Sequence, residues 1–340
     1  MSKKQISTAK NIGLATKNRP IRIGTRESEL ALWQANTVAK MLQDLGFETI
    51  IVTVKSTGDL ILDKPLYELG ITGIFTKTLD IAMLNGEIDI AVHSMKDVPT
   101  ALPVGIVQAA VLERASNKDI LIFKNKLDFL TQTPTIATGS LRRQAQWLHQ
   151  YPNHQVVDLR GNVNTRLQKL NDNNWNGAIF AAAGLERLNF HQSISNQHQA
   201  QTFAIKSPGF EANAMILDWM IPAPAQGAMV VLAMQNDSFC QEALAQLNHL
   251  ETDICTYIER QFLRTLEGGC TAPIGALATF CEDEIFFDGV LLSIDGKQKI
   301  EIKKVVPIQE WKKLGFHLAQ EMLTNGGLEL MQHIRKSLKK

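Results

Sequence analysis

Nowhere in this sequence do apolar residues run to membrane-spanning length; charged residues interrupt every such stretch early. No transmembrane helix is expected. An excess of one charge is missing too, with 35 Lys and Arg against 34 Asp and Glu and a formal net charge of +1. Proteins that grip nucleic acid along a broad face carry a strong basic excess, so anion binding here has to come from local clustering. Cysteine is scarce. Cys240, Cys255, Cys270 and Cys281 all fall in the last third, with no CxxC pair and no histidine at metal-ligand spacing. Neither a metal site nor a disulfide framework is expected, and a reducing, cytoplasmic compartment is the simplest fit. Acidic residues are absent from residues 1–20, which hold Lys3, Lys4, Lys10, Lys17 and Arg19 but no apolar signal core. That segment reads as a disordered basic tail, with an organelle transit peptide as the alternative.

What is present suits a soluble globular protein of two or three domains: 340 residues, 45% hydrophobic and 20% charged. From Ile21 short β-branched runs alternate with helical periodicity. Ile21 to Gly24 and Ile50 to Val54 read as strands. Between them Ser28 caps a helix whose inward positions are expected to be Leu30, Trp33, Val38, Met41 and Leu42. A helix over Phe75 to Leu84, stopped by Gly86, precedes a strand over Ile88 to Val92. Strand, helix, strand in this order implies parallel pairing. After the charged stretch Glu113 to Asp119, which looks like a crossing between domains, the pattern restarts. Strands are expected at Ile136 to Thr138, Gln155 to Asp158 and Gly177 to Ala182, with helices starting near Ser140, Asn162 and Gly184. Asn189 to Pro208 is polar and reads as an extended loop, and Met229 to Met234 returns to strand. The last third changes style. A helix from Glu251 to Leu266 ends at Gly268 and Gly269, then come strand-like runs Ile274 to Phe280, Ile285 to Leu292 and Lys299 to Val305, and two closing helices. The expectation is α/β: two lobes facing a cleft, with 21–114 and 226–246 in the first and 115–225 in the second. A C-terminal α+β domain, 247–340, carries a three-stranded antiparallel sheet.

Three groups of residues could carry chemistry. In LEGGCTAPIGA the glycines free the backbone to present Cys270 on a loop, although free cysteine is usually a buried, inert thiol and no cationic partner is adjacent. AVHSMKDVPT places His93, Lys96 and Asp97 at the carboxyl end of a strand, where parallel sheets hold ligands. A carboxylate there can accept N–H groups, stabilise a cation and move a proton, whereas a solvated Lys and Asp pair is the plain alternative. Arg26, Arg142, Arg143, Arg160 and Arg166 each follow a strand near a helix N-terminus, with Ser28, Thr138 and Ser140 nearby, which suggests a cleft for carboxylates or phosphates.

From Ile21 onward the chain resembles the hydroxymethylbilane synthase (porphobilinogen deaminase) family through GTRESELALWQA, STGDLILDKPL, AVHSMKDVPT, TGSLRRQ, LRGNVNTRL, AAAGLERL, PAQGAM and LEGGCTAPIG. The resemblance implies three domains, the first two similar to periplasmic binding proteins. It implies stepwise deaminative condensation of porphobilinogen on a dipyrromethane cofactor, then hydrolytic release of the linear tetrapyrrole, by a monomer that needs neither nucleic acid nor membrane. Position by position, it makes Cys270 the thioether anchor and Asp97 the catalytic carboxylate. Ser28, Lys96, Asp97, Thr138, Ser140, Arg142, Arg143, Arg160 and Gly161 fall at cofactor positions; Arg26, Arg160, Arg166, Arg187 and Gln226 at substrate positions; and Asp59 in a mobile loop. The chain departs from the pattern at Thr72 (a lysine), Thr78 (an acid) and Gly139 (a hydroxyl residue), and 189–222 is longer. The rival from another class is a carboxylate solute-binding protein, which would need an export signal and no Gly-Gly-Cys domain; a thiol hydrolase using Cys270 is a second.

Overall fold

Runs of β-branched residues followed by capped helices fold as the alternation predicts in the computed structural model, which describes residues 19–55, 76–124, 127–190, 202–207, 210–266 and 272–338. The chain passes through β1 (Ile21–Thr25), α1 (Glu29–Asp44), β2 (Thr49–Thr53), α2 (Lys77–Leu84), β3 (Ile90–Ser94), a 3-10 turn at Met95–Asp97 and β4 (Ile106–Val111). It continues with β5 (Asp119–Phe123), β6 (Thr135–Ala137), α3 (Leu141–Gln150), β7 (Gln155–Val157), α4 (Val163–Asp172), β8 (Gly177–Ala181), α5 (Ala182–Arg187), β9 (Phe203–Ser207) and β10 (Phe210–Ile216). Then follow β11 (Met229–Met234), α6 (Ser238–Ala245), α7 (Leu250–Thr265), β12 (Ile274–Cys281), β13 (Glu284–Leu292), β14 (Lys299–Pro307), α8 (Trp311–Met322) and α9 (Leu328–Leu338).

The strands form three sheets, ordered β2-β1-β3-β11-β4, β7-β6-β8-β5-β10-β9 and β12-β13-β14. The first two are mixed rather than purely parallel. β1 is parallel to β2 and β3, but β11 returns antiparallel to both β3 and β4. In the second sheet β6 is parallel to β7 and β8, while β5 runs antiparallel to β8 and β10. Strand-helix-strand order sets only the parallel pairs; strands that arrive after a crossing between lobes are free to enter from the other end. The polar stretch expected as a loop to Pro208 also needs correction, because β9 and β10 form a hairpin at that sheet's edge. Phe203, Ile205, Ala212 and Ala214 are buried while Ala204, Glu211 and Asn213 are exposed, a half-buried edge whose small inward residues hide the alternation. β3 begins and ends two residues later than expected, and α5 starts at Ala182 rather than Gly184.

The inward face of α1 is rotated from the one expected. Ala31, Gln34, Ala35, Val38, Ala39 and Leu42 are buried at helical spacing, and the alanines let the helix lie close on the sheet. Leu30 and Trp33 face the second lobe instead. A β-carbon on Gly184 would lie 3.9 Å from Leu30 Cδ2, the Arg187 guanidinium lies 5.8 Å from the Trp33 ring centre, and Asn164 donates to Glu29 at 2.6 Å. The large apolar side chains at the start of α1 thus serve the contact between lobes.

Residues 112–118 and 217–228 cross between the first two sheets side by side, Ala115 N–H donating to Gly227 O at 3.3 Å. A β-carbon on Gly227 would lie 2.5 Å from Ala115 O, so the crossings touch only because that residue is glycine. The third sheet is covered by α7, α8 and α9 over a core that includes Ile258, Phe262, Ile274, Phe287, Leu314, Leu318 and Ile334. α7 fastens it to both crossings. Glu259, fully buried, accepts two bonds from Arg114 at 2.7 and 2.9 Å, one from Ala225 N–H at 2.6 Å and one from Ala278 N–H at 2.8 Å. Arg114 Nε donates to Gln226 O at 2.8 Å. On the next residue, Arg260 donates to the carbonyls of Met95 at 3.2 Å, Val98 at 2.9 Å and Pro99 at 2.6 Å.

Removing one partner of a buried ion pair leaves the other charge uncompensated, so Glu259→Ala is expected to lower the unfolding free energy by ~3–5 kcal/mol. Lys40→Ala, which removes an exposed pair with Asp44, should change it by under ~0.5 kcal/mol. Denaturant unfolding of both variants beside the wild type checks the contrast.

Candidate active site

Residues that follow the carboxyl ends of parallel strands in the two lobes come close enough for their charges to act on one another, and the space between them is the candidate cleft. β3 ends at Ser94 and turns at once through Met95–Asp97, which sets Lys96 and Asp97 at that edge, both half-buried. β1 ends at Thr25, so Arg26 follows directly and Ser28 caps α1 by accepting from Ala31 N–H at 3.4 Å. In the second lobe Thr138 follows β6 and accepts from Ser140 N–H at 3.3 Å, and Ser140 caps α3 by accepting from Arg143 N–H at 3.4 Å. Arg160 and Gly161 lie between β7 and α4, with Gly161 at a φ of +116°. The hydroxyls of Ser28, Thr138 and Ser140 each act as acceptors toward the backbone, which leaves their own O–H free to orient.

Charge organises the floor of this cleft. Asp119 opens β5 opposite Ala181 of β8, which brings an acid to the same edge. It is completely buried and accepts from Arg142 Nη1 at 2.7 Å, from Arg143 Nε at 2.9 Å and from Gln226 Nε2 at 3.0 Å. Burial opposes its charge, yet Arg142 and Arg143 prevail and hold the carboxyl at about 2. Both arginines stand in the first turn of α3, where the helix's own partial positive charge adds to theirs, so an internal anion is what lets the trio remain buried. Their remaining donors are largely satisfied inside the protein. Arg142 also donates to Ile221 O at 2.8 Å and Arg143 to Ile179 O at 3.0 Å.

Lys96 is pulled down to about 8 by burial and then by Arg143, with Asp97 and Asp119 acting in the opposite direction. The charge of Asp97 also acts on Arg143 and Arg166, so the turn, α3 and α4 converge on that carboxylate. Arg166 donates to Gly161 O at 2.7 Å and is lowered to about 10 by burial and by Arg143. Arg187 is buried, donates to Gly227 O at 2.6 Å and is likewise lowered by burial to about 10. Arg142 Nε has no partner among the described residues, and Arg160 has more such open donors. It is 5% exposed, and among the described residues its Nε and Nη1 have no hydrogen-bond partner. The charge of Asp158 acts on it, yet a guanidinium kept from water in that state calls for an anionic acceptor that the described residues do not supply.

Gln226 does not sit where a substrate contact was expected. It is fully buried, and its Nε2 donates to Asn117 O at 2.8 Å as well as to Asp119. Its Oε1 therefore points toward Lys96 Nζ at 3.4 Å and Arg142 Nη2 at 3.5 Å, backing the cations from behind. Gly139 leaves no space for the hydroxyl residue common at that position, because a β-carbon there would lie 2.5 Å from Leu159 O. Thr78 lies in the first turn of α2, and the acid of that turn is Asp80, buried at 6% exposure. Cys270, Asp59 and Thr72 lie outside the described residues, as do 1–18 of the basic tail and 191–201 of the longer segment. Sequence reasoning missed Asp119, Glu259 and Arg260, none of which carries a local motif. No helix among the described residues is long and apolar enough to cross a membrane, and they contain no group of His, Cys, Asp and Glu that could hold a metal.

Residues 21–242 match the family model "Porphobilinogen deaminase, dipyromethane cofactor binding domain", and residues 254–324 match "Porphobilinogen deaminase, C-terminal domain". Curated relatives called porphobilinogen deaminase agree along nearly their whole length. That of Chloroherpeton thalassium is 39% identical over 321 residues, covering 92% of this chain and 97% of its own. That of Carboxydothermus hydrogenoformans is 39% identical over 324 residues, covering 94% and 98%. Among solved structures, an ancestral cationic amino acid solute-binding protein covers 67% of this chain and 87% of its own at 12% identity and a TM-score of 0.37, a likeness too slight to speak for fold or function.

His93, on β3 beside the turn, is 5% exposed and held at about 3 by burial and then by Arg26. It therefore stays neutral in the fold while the unfolded chain takes up a proton near its ordinary value of ~6.5. The folded state binds fewer protons, so stability is intact above pH ~6.5 and falls as pH drops toward 3. Between pH 6.5 and 5 the wild type is expected to lose up to about 2 kcal/mol more than His93→Gln. Denaturant titrations of both proteins at those two pH values measure the difference.

Proposed function

The chain belongs to the porphobilinogen deaminase family, and on that premise we propose that the cleft performs the family's reaction with Asp97 as its proton-handling carboxylate. The observation that carries this reading is Arg160, whose buried donors have no partner among the described residues and suit a carboxylate ligand. Porphobilinogen brings an acetate and a propionate, and guanidinium forks pair with carboxylates through charge-assisted hydrogen bonds. The lining fits such a ligand, since cationic side chains outnumber acids where the two lobes meet.

The dipyrromethane, held by a thioether to Cys270, supplies when bound the chain end to which porphobilinogen units are joined. Toward it we assign Ser28, Lys96, Thr138, Ser140, Arg142, Arg143, Arg160 and Gly161. Arg26, Arg160, Arg166 and Arg187 are assigned to incoming substrate, with Gln226 bracing Lys96 and Arg142 from behind. Asp97 accepts pyrrole N–H groups, stabilises positive charge as ammonia leaves the aminomethyl group, and holds a proton that has to move. Arg142 and Arg143, anchored on Asp119, contribute a fixed positive field more than free hydrogen bonds. Arg160 supplies the free donors. Covalent attachment at Cys270 keeps each lengthened product in the cleft until hydrolysis releases the linear tetrapyrrole. The enzyme is a transferase, and we propose that it acts as a monomer. We divide it at 21–114 with 226–246, 115–225 and 247–340. Cys240, Cys255 and Cys281 are unpaired, which supports a reducing compartment such as the cytoplasm.

Intact-protein mass spectrometry is expected to reveal a dipyrromethane-sized excess on the purified chain that disappears in Cys270→Ser. Asp97→Ala should keep the fold and lose most turnover; near-normal turnover in that variant would remove Asp97 from its assigned role. Arg160→Leu is expected to weaken the apparent affinity for porphobilinogen by ~10- to 100-fold, the scale of charged hydrogen bonds worth ~1.5–3 kcal/mol. An unchanged KM would transfer that role to another cation.

A further inference from the structure

We propose that Arg260 is a positioning residue for Asp97, holding the catalytic turn in register through the third domain. The proposal rests on the assignment of Asp97 made above and concerns how that carboxylate is kept in place. The Met95–Asp97 turn is a single short 3-10 element between β3 and an irregular stretch. Backbone bonds tie it at only a few points: Met95 N–H donates to Ala228 O at 3.0 Å and Val98 N–H closes on Met95 O at 3.2 Å. A 3-10 turn of this length has poor hydrogen-bond geometry and little stability of its own. Arg260 supplies what the turn lacks. Its Nη1 reaches the carbonyls of both Met95 and Val98, the residues flanking Lys96 and Asp97, and its Nη2 reaches Pro99 O.

A guanidinium suits this task because its planar fork spans several carbonyls at fixed angles, and donation from a charged group is stronger than from a neutral one. The position of the fork matters equally. Arg260 follows Glu259 on α7, so the helix that grips both interlobe crossings also grips the turn. α7 ends at Thr265, and its continuation is the segment that carries Cys270. The placement of Asp97 is thereby referred to the same rigid element that leads to the covalent anchor, although the two residues belong to different domains.

The test compares Arg260→Lys and Arg260→Gln with the wild type as purified holoenzymes, with dipyrromethane occupancy measured by intact mass. Misplacing a reacting group by ~1 Å costs on the order of 100-fold in rate, so kcat per loaded molecule is expected to fall ~10- to 100-fold. The KM for porphobilinogen should change less than about threefold, because Arg260 grips the turn through its backbone carbonyls. Amide hydrogen exchange over residues 94–100 should accelerate in both variants while exchange in β1 and β6 is unaltered. Lys, which retains charge without the fork, should recover part of kcat relative to Gln. Guanidinium ion at millimolar concentration should raise the rate of Arg260→Gln but not that of the wild type. Unchanged kcat per loaded molecule, or a loss of occupancy and melting temperature with kcat per loaded molecule intact, would overturn the proposal by making Arg260 structural only. Asp97→Ala, run alongside, separates the two readings: if that variant turns over normally the assignment of Asp97 fails, and if it is inactive while the Arg260 variants behave as wild type only the present proposal fails.

Discussion

Burying guanidinium groups without losing them to water is the constraint on which the rest of this molecule depends. Arg142, Arg143, Arg160 and Arg187 are each at most 8% exposed, and an unpaired buried charge is among the most costly features a fold can carry. Each is treated differently. Asp119 neutralises the pair on α3, a backbone carbonyl and the Trp33 ring receive Arg187, and Arg160 is left with open donors. The first two arrangements are satisfied mainly within the chain, although Arg142 Nε has no partner among the described residues. The third leaves two donors without a partner among the described residues, which is why Arg160 is the group proposed to bind.

The same reasoning explains why two lobes meet where they do. Asp119 lies at the start of the strand that receives the first crossing, and Gln226 lies in the second. Their side chains bond to each other and to Arg142, so the crossings, the cationic floor and Lys96 form one hydrogen-bonded unit. Motion between the lobes has to bend around that unit. On the far side Glu29 meets Asn164, Leu30 lies near Gly184 and the Trp33 ring meets Arg187, contacts of modest strength. The asymmetry places the stiff side at the crossings and the compliant side at α1, which suits a cleft whose contents lengthen during the reaction.

Much of this was legible in the sequence wherever one short segment carries the signal. β11 falls at Met229–Met234 as its β-branched run indicates, and Ser28, Ser140 and Asn162 cap the helices they precede. The Arg pair after β6 and the Lys-Asp pair after β3 likewise stand at strand ends. What could not be read depends on partners far apart in the chain. Asp119 looks like part of a charged linker until Arg143, 24 residues on, is seen against it, and Arg260 meets Val98 across 162 residues. The face of α1 was misjudged for a related reason. Leu30 and Trp33 are apolar because they meet another lobe, and periodicity does not distinguish a core from a neighbouring lobe.

Consecutive residues on a helix point about 100° apart, so Glu259 and Arg260 grip different structures from one short stretch of α7. Glu259 binds the crossings through their backbone and Arg114; Arg260 binds the turn that bears Lys96 and Asp97. A third domain attached only by its own linker would leave the anchor proposed at Cys270 free to drift relative to the carboxylate proposed to act near it. Fixing both ends from one helix removes that freedom without a large interface. Asp97 is thereby held where its charge meets the cations of α3 and α4. The third domain is in this sense part of the active-site frame and not merely a carrier of the cysteine.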